Sequence, residues 1–407
     1  MTGDPHLSAP LLGVRVVEFG NLVAAPYCGM LLADLGAEVI KVEPVTGDLA
    51  RAIGPFYEDE SAFFLGVNRG KLSLAVDPKD ERVTTALLRL CQQSDVVTSN
   101  LRRGAMERMG LGYESLRALA PHLVVGVISA FGSKGPAADR AGIDLIFQGE
   151  SGMMSITGGE EEGPHKTATT IADFLAGTNA ALAITSALVG GGGRRGGRGT
   201  LVETSLRDGI IAAQATWNAM YFSSGRQPDR TGTASPVTGP NQTFNTADGY
   251  LNLAVVSDRH FADTCRALGL DHLNSDPRFT TNELRVRHRG ELSQILVEVL
   301  ANEPTGHWLK VLEAVGVPVG RILEMEAVFA DEQVIFNEMV TEVSHPRIGT
   351  FRTQGSPLRV NDRPARSAMP PPVLGQHTVV ILGDLGISDA EIAELVAAGA
   401  AVDGSRP

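Results

Sequence analysis

One carboxylate is placed where it could do chemistry. Asp173 lies at the head of a helix-like run of small residues, 172–188 (ADFLAGTNAALAITSAL), between apolar Ile171 and Phe174. A carboxylate near a helix N-terminus is kept ionised by the helix dipole, and apolar neighbours partly desolvate it. Such a group can attack an activated acyl carbon as a nucleophile. The other interpretation is a helix N-cap, which stabilises a helix by about 0.5–2 kcal/mol and which spacing alone favours.

Basic and amide side chains in the first 140 positions form a second candidate set. Several of them follow strand-like stretches, and ligands of open α/β sheets bind at the carboxyl ends of the strands. Cationic groups at such places can bind phosphates, although a solvated face is the commoner explanation for any single residue. The set comprises Arg51, Arg69, Lys71, Asn100, Arg102, Arg103, Arg108, Lys134 and Arg140.

Standard site motifs are absent or broken. The glycine run at 189–199 (VGGGGRRGGRG) lacks GxxxxGK[ST] spacing and precedes a strand, so we predict a flexible, solvated loop. The zinc motif HExxH is absent, and Met153 replaces the second glycine of the catalytic-serine pattern GxSxG. A single glycine follows the first strand, which argues against a dinucleotide-binding enzyme. Three cysteines without CxxC spacing predict neither a disulfide framework nor a metal site.

The elements that must position these residues alternate between strand and helix. Short apolar strands are predicted at Val14–Glu18, Glu38–Val42, Leu72–Val76, Asp95–Thr98 and Leu123–Ser129. Helical spacing between them covers Tyr27–Leu35 and Glu81–Gln93. This alternation predicts an α/β domain with a mainly parallel sheet. A polar stretch rich in Gly, Pro, Thr and Asn, 223–249, indicates a domain boundary.

Composition narrows the class of protein. The 407 residues are 43% hydrophobic and carry a formal charge of −12, which disfavours nucleic-acid and anionic-membrane binding. We expect no apolar run to approach the roughly 20 residues that a membrane helix needs, and no leader segment is visible at the start. We therefore expect a cytoplasmic protein that binds neither nucleic acid nor membrane.

Six segments resemble the class III CoA-transferases, the CaiB–BaiF family. They cover nearly the whole chain in the family's order. The segments are Val23–Arg51 (VAAPYCGMLLADLGAEVIKVEPVTGDLAR), Asn68–Asp77 (NRGKLSLAVD), Asp95–Leu116, Phe131–Pro136 (FGSKGP), Ala141–Gly158 and Pro371–Thr378 (PPVLGQHT).

The resemblance implies an architecture. It implies a large Rossmann-like domain built from both chain ends, 1–222 and 336–407, with a smaller α+β domain inserted at 223–335. It also implies that two subunits interlock as a homodimer.

The resemblance also implies a chemistry. Asp173 matches the family's catalytic aspartate, which attacks an acyl-CoA donor, becomes an aspartyl-CoA thioester and passes CoA to a carboxylic acid acceptor. CoA is then a substrate, and no permanently bound cofactor or metal is expected. The predicted CoA-binding residues are Arg51, Arg69, Lys71, Asn100, Leu101, Arg102, Arg108, Lys134 and Arg140. Two departures from the family pattern are Pro44, where many members carry a basic residue, and Gln376, where they carry Glu.

Two other functions are compatible with the same resemblance. The first is a 2-methylacyl-CoA racemase, whose relatives resemble a GHD motif with a proton-exchanging histidine. Here the triplet is Gly142-Ile143-Asp144, and Ile143, which we predict to fill the core, cannot exchange a proton. His165 is a weak substitute in a polar loop. The second is a non-catalytic acyl-CoA-binding protein, which Asp173 disfavours.

Overall fold

The fold is known from a computed structural model that describes residues 9–405. Residues 1–8, on which the prediction of a missing leader partly rests, lie outside the described part. In chain order the strands are β1 Arg15–Phe19, β2 Glu38–Glu43, β3 Phe56–Tyr57, β4 Glu60–Ser61, β5 Lys71–Ala75, β6 Val96–Ser99, β7 Val124–Ser129, β8 Thr200–Ser205, β9 Asn241–Asn245, β10 Tyr250–Ala254, β11 Val319–Arg321, β12 Val340–His345, β13 Gly349–Gln354, β14 Arg359–Val360 and β15 Arg363–Pro364.

The helices alternate with the strands of the first half and dominate the second. They are α1 Ala24–Asp34, α2 Ala62–Leu65, α3 Glu81–Gln92, α4 Ala105–Arg108, α5 Tyr113–Leu119, α6 Asp144–Glu150, α7 Met153–Ile156, α8 Ile171–Val189, α9 Gly193–Gly196, α10 Leu206–Ala213, α11 Ala215–Ser224, α12 Asp258–Ala267, α13 Asn282–Arg287, α14 Arg289–Leu300, α15 Thr305–Glu313, α16 Met325–Ala330, α17 Glu332–Phe336, α18 Thr378–Asp384 and α19 Asp389–Ala397.

A six-stranded parallel sheet is the framework of the site. Its order is β5-β2-β1-β6-β7-β8, and every neighbouring pair is parallel. Strands β1, β2, β5, β6 and β7 are short and largely buried because helices must cross over between parallel neighbours and cover the sheet, whereas the edge strand β8 is partly exposed. The prediction of an α/β fold with a mainly parallel sheet is confirmed.

The described residues fall into two compact units. The first takes 9–151, 167–215 and 332–405, and the second takes 152–166 and 216–331. The first therefore joins residues from both halves of the chain, while the second also includes 152–166, which the domain prediction places in the N-terminal part. In the second unit, the antiparallel sheet β11-β10-β9 packs on a cluster that includes Phe244, Phe261 and Trp308.

The C-terminal segment completes the first unit. Leu382 and Leu395 of α18 and α19 join the same apolar core as Leu74 of β5 and Leu87 of α3. This packing explains why the last helices are amphipathic or apolar although they lie some 300 positions after the sheet they cover.

The tail sequence PPVLGQHT covers the exposed edge of strand β5. His377 N–H donates to the Ser73 carbonyl and His377 Nδ1 accepts from Ser73 N–H, both at 3.1 Å. Thr378 Oγ1 accepts from Ala75 N–H at 3.0 Å. Gln376 Oε1 accepts a hydrogen bond from a backbone amide within the same turn. The glutamine, although it departs from the family pattern, therefore has a local structural role. The motif thus satisfies an edge that would otherwise be open to pairing.

The glycine-rich segment 189–199 is not entirely loop, although most of it is exposed as predicted. Gly193–Gly196 forms the short helix α9. Asp95 accepts from Arg194 N–H at 2.7 Å and from Arg194 Nη2 at 3.0 Å. The segment is therefore held against β6 by a residue 99 positions earlier.

Within the segment Ile171–Gly196 an 18-residue stretch has a mean hydropathy of 1.4, so the segment is long and apolar enough to cross a membrane by length and composition alone. The expectation that no run reaches that length is wrong for this segment. In the structure its first helix, α8, packs against α1, α10, β7 and β8 of the first unit.

Candidate active site

Asp173 lies at the third position of α8, in its first turn. The N-cap residue is Thr170, whose carbonyl oxygen accepts from the backbone amides of Asp173 at 3.1 Å and Phe174 at 3.3 Å. The interpretation of Asp173 as the N-cap is therefore wrong. The side chain of Asp173 therefore does not cap α8.

A different carboxylate binds the first turn of α8. Asp144, the first residue of α6, accepts from the backbone amide of Ala172 through Oδ1 at 2.9 Å. Asp144 is not among the residues predicted from the sequence, where the Gly142-Ile143-Asp144 triplet is informative only because it lacks a histidine. An acidic residue opening a helix after an extended residue is the signal that could have found it.

Ile143 itself does not fill the core. Its side chain is 65% exposed, so that prediction is wrong. The side chain still has no group that could exchange a proton, and the argument against racemisation does not depend on its burial. His165 is also exposed, and its ring nitrogen lies 3.9 Å from the carboxylate of Glu162.

Helix α1 approaches α8 closely at the site. A Cβ atom on Gly177, one turn after Asp173, would lie 2.6 Å from the carbonyl oxygen of Ala24. The ring of Tyr27 packs edge-on against Phe174 with ring centroids 4.8 Å apart. Glycine is required at 177 because the two helix backbones touch there. The first turns of α1 and α8 therefore meet at Asp173.

The surroundings of Asp173 raise its pKa from 3.8 to about 6. Burial is the larger cause and the Asp144 carboxylate the second, while the backbone amides of Asp173 and Ala24 oppose them. With this pKa about 90% of the group is ionised at pH 7. The site therefore holds a poorly solvated carboxylate that is still ionised, which is the form that attacks acyl carbons.

The loop before α1 is fixed at several points. Asn100 accepts from Asn21 N–H and donates to the Asn21 carbonyl, each at 2.9 Å. Leu22 has a positive φ of 64° and donates its N–H to Asp48 at 3.0 Å. Lys41 donates to the Gly20 carbonyl at 2.8 Å. A branched residue in the left-handed region is strained, so these bonds are needed to hold the loop.

A buried ionic cluster lies beneath this loop. We define it as Glu18, Lys41, Asp48 and Lys71. Lys41 Nζ lies 3.0 Å from Glu18 and 2.7 Å from Asp48, and Lys71 Nζ lies 2.7 Å from Glu18. The cluster has two cations and two anions, which makes its burial tolerable. Burial lowers the pKa of Lys71 to about 8, although Glu18 opposes it.

Three of the predicted CoA-binding residues make internal contacts. Lys71 is fully buried, and beyond Glu18 it donates to Asn68 and to the Pro26 carbonyl. Arg69 pairs with Asp34 at 2.6 Å. Arg51 pairs with Glu43 at 2.8 Å. These contacts explain why basic residues occur at these positions without a ligand.

The other predicted CoA-binding residues follow the central strands β6 and β7. Asn100 and Leu101 are partly buried directly after β6. Arg140 pairs with Glu150 at 2.6 Å and lies over the ring of Phe131. The exposed cationic side chains of the set are Arg102, Arg108, Lys134 and Arg140.

A cavity of about 610 Å³ lies beside the first turn of α8. Its wall includes Thr170 and Phe174 of that turn, Tyr27 and Met30 of α1, and Arg69. Most of this wall is apolar, and its one charged residue, Arg69, is paired with Asp34. The cavity gives space for a small carbon chain beside the turn that carries Asp173.

The chain was then compared with known proteins. The model of CoA-transferase family III matches residues 11–378. This chain belongs to CoA-transferase family III. The resemblance drawn from the six segments is confirmed, and the protein is an enzyme of that family.

Relatives of this CoA-transferase are similar over their whole length. It is 38% identical to "Succinyl-CoA:glutarate CoA-transferase" of Homo sapiens, over 97% of this chain and 91% of that protein. It is 37% identical to "Succinate--glutarate CoA-transferase" of Agrobacterium fabrum, over 95% of this chain and 98% of that protein. A crystal structure of a CaiB/BaiF family protein from Brucella suis superposes with a TM-score of 0.83 at 35% identity, covering 93% of this chain and 100% of that one.

Proposed function

We propose that this enzyme transfers CoA from an acyl-CoA donor to a carboxylic acid through a covalent intermediate on Asp173. One observation carries the proposal. Asp173 is a half-buried carboxylate with a raised pKa, placed where the first turns of α1 and α8 meet. Partial desolvation strengthens a carboxylate as a nucleophile, and helix N-termini stabilise the negative charge that develops on the attacked carbonyl oxygen.

The steps balance without water or a net proton. A carboxylate oxygen of Asp173 bonds to the thioester carbon, the carbon–sulfur bond breaks, and a mixed anhydride and CoA thiolate form. The thiolate attacks the Asp173 carbonyl carbon and expels the donor acid, which leaves an aspartyl-CoA thioester. The acceptor carboxylate attacks this thioester and regenerates thiolate and a second anhydride. Thiolate attack on the acceptor carbonyl then releases the new acyl-CoA and free Asp173.

We infer that the acids are dicarboxylic. The two relatives above are named for succinate or succinyl-CoA and glutarate. The largely apolar wall of the cavity beside α8 fits the short carbon chain of such an acid, while Arg69 in that wall is already paired with Asp34.

CoA is proposed to lie over the carboxyl ends of β6 and β7. Arg102, Arg108, Lys134 and Arg140 have exposed cationic groups there, which suit the diphosphate and 3′-phosphate. The contacts of Lys71, Arg69 and Arg51 favour structural roles instead. We propose CoA as a substrate, no permanently bound cofactor, and action in the cytoplasm.

A homodimer is proposed from the apolar surface of the first unit. Leu182 and Val189 on α8 are 65% and 90% exposed, and Ile143, Ile146 and Ile211 on or beside α6 and α10 are exposed as well. Exposed apolar side chains on packed neighbouring helices mark a protein interface. Leu182→Glu should dissociate the dimer in sedimentation, whereas Val380→Glu, at a similarly exposed position on α18, should not. Folded wild-type monomers on simple dilution would contradict the proposal.

The chemistry is tested by trapping the intermediate. The enzyme is screened with succinyl-, acetyl- and formyl-CoA against dicarboxylic and aromatic acids, and hydroxylamine is added to turnover mixtures. We expect transfer between dicarboxylic acids and a hydroxamate on Asp173 visible by peptide mass. Asp173→Ala should abolish both, while Asp139→Asn, which removes an exposed carboxylate, should keep them. Unmodified Asp173 together with an active Asp173→Ala variant would refute the covalent step.

Racemisation is tested with the same preparation. A 2-methylacyl-CoA is incubated in D₂O, and its α-proton is followed by NMR. We expect the proton to be retained. Rapid washout with inversion at carbon 2, and no CoA transfer to any acid, would favour the racemase.

A further inference from the structure

We propose that Asp144 is a positioning residue for the nucleophile, an inference that rests on the covalent function proposed for Asp173. Asp144 begins α6 and is 8% exposed. Its Oδ1 accepts from the backbone amide of Ala172 at 2.9 Å. Because Ala172 directly precedes Asp173, this bond fixes the peptide from which the nucleophile projects.

A second residue of α6 holds the approach to α8. Gln148, fully buried one turn after Asp144, donates from Nε2 to Asp144 Oδ2 at 2.6 Å. Its Oε1 accepts from the backbone amide of Thr167 at 2.8 Å. Both oxygens of Asp144 are thus engaged, and the segment 167–172 is tied to α6 at its two ends. Helix α6 therefore fixes the position of the backbone that leads into Asp173.

A purely local cap would not need this arrangement. The N-cap residue Thr170 makes no side-chain cap bond, and Ala172 N–H is bound instead by a residue 28 positions earlier on another helix. The arrangement also places a second carboxylate near Asp173, which is unfavourable while both are ionised. In the anhydride and thioester states Asp173 is uncharged and that repulsion ends. Asp144 thereby favours acylation of Asp173 as well as orienting it.

The charged side chain that raises the pKa of the Asp173 carboxyl is that of Asp144. Helices α1, α6 and α10 pack against α8 and carry other titratable groups. These groups are Tyr27, Cys28 and Asp34 on α1, Glu150 on α6, and Arg207 and Asp208 on α10; strand β8, which also packs against α8, carries Glu203. Glu150 is paired with Arg140, and Arg207 lies over the ring of Phe131. A pH effect of removing the Asp144 charge is therefore expected at Asp173.

Three variants separate charge, hydrogen bonding and simple loss of an acid. Asp144→Asn keeps an acceptor for Ala172 N–H and removes the charge together with the bond from Gln148 Nε2, which an amide nitrogen cannot accept. Asp144→Ala removes both. Asp139→Asn removes an exposed carboxylate from the same stretch of chain, where it pairs with Arg103. Circular dichroism checks that each variant is folded.

The readouts are kcat, the KM for acyl-CoA, and the acidic limb of the pH profile of kcat/KM. For Asp144→Asn we expect that limb to move to lower pH, with a modest loss of kcat. For Asp144→Ala we expect kcat to fall by on the order of 10²-fold, the loss typical of a misplaced reacting group, with KM nearly unchanged. Asp139→Asn should match the wild type in all three.

The outcomes distinguish this inference from the function on which it rests. Failure of the wild type to transfer CoA to any acid would overturn both. An active wild type, an inactive Asp173→Ala variant and Asp144 variants with unchanged kcat and pH profile would overturn only the role of Asp144. If Asp144→Ala does not fold, Asp144→Asn decides the question, because an unmoved acidic limb then contradicts the proposal.

Discussion

Replacing Asp173 with asparagine should stabilise the fold at neutral pH while it abolishes CoA transfer. The native surroundings raise the pKa of this carboxyl from 3.8 to about 6, so they favour its uncharged form. That difference corresponds to about 3 kcal/mol. The group is only half-buried and solvent screens part of the effect, so we expect a gain of about 1–2 kcal/mol. An amide of the same shape lacks the charge that is penalised.

The gain should depend on pH in a defined direction. Below about pH 4 the carboxyl is protonated in both the folded and the unfolded chain, and the two proteins should differ least. Between about pH 4 and 6 the unfolded chain ionises first, so the stability of the wild type falls relative to the variant as pH rises. Above about pH 6 the difference should be constant.

Denaturant unfolding at a series of pH values tests this directly. All samples share one protein concentration, since subunit association would otherwise change apparent stability. Asp139→Asn controls for the loss of one negative charge. The reasoning is refuted if Asp173→Asn is less stable than the wild type at pH 7, or if the difference is the same at pH 4 and pH 7.

Further predictions concern residues that act at a distance from the nucleophile. Gly177→Ala should lose activity and should have a free energy of unfolding about 1–3 kcal/mol below that of Gly209→Ala, measured by thermal or denaturant unfolding. Gly209 is the matched control, because a Cβ added there meets nothing within 3.4 Å. Equal stability of the two would contradict the close helix approach. Lys41→Met should lower the free energy of unfolding by about 3–5 kcal/mol in the same measurement, because Asp48 loses its lysine partner and Glu18 keeps only Lys71. An unchanged midpoint would exclude a role for the buried ionic cluster. Arg194→Ala should cost at most about 1 kcal/mol and leave kcat unchanged, because its bond to Asp95 is partly exposed.

The sequence predicts the sheet well because its signal is local. Short apolar strands separated by helical spacing allow little besides a parallel α/β sheet, and β1, β2, β5, β6 and β7 lie close to the predicted ranges, whereas the two-residue strands β3 and β4 are not predicted. The start of α8 is also predicted to within two residues. Asp173 is singled out correctly as a residue in that first turn, although its assignment as a cap fails there.

The sequence does not predict which charged residues are buried. Lys71 and Arg69 have the spacing of ligand-binding residues, yet their partners, Glu18 and Asp34, lie 53 and 35 positions away. Asp144 likewise accepts a hydrogen bond from a residue 28 positions later, and Asp95 accepts one from the glycine-rich segment. Such pairings depend on how the elements pack, and no local pattern encodes them.

Asp173, the proposed nucleophile, is held from two sides by independent sets of contacts. On one side, Asp144 binds the peptide before Asp173 and thereby sets the start of α8. On the other, the buried ionic cluster holds the strained loop at Leu22, which sets the start of α1. Gly177 determines how closely the two starts approach. Loosening either side moves one helix start relative to the other, so we expect changes in the cluster and changes at Asp144 to lower kcat by separate routes. In combined variants the two increases in activation free energy should therefore nearly add, since the two sets share no residue and meet only at Asp173.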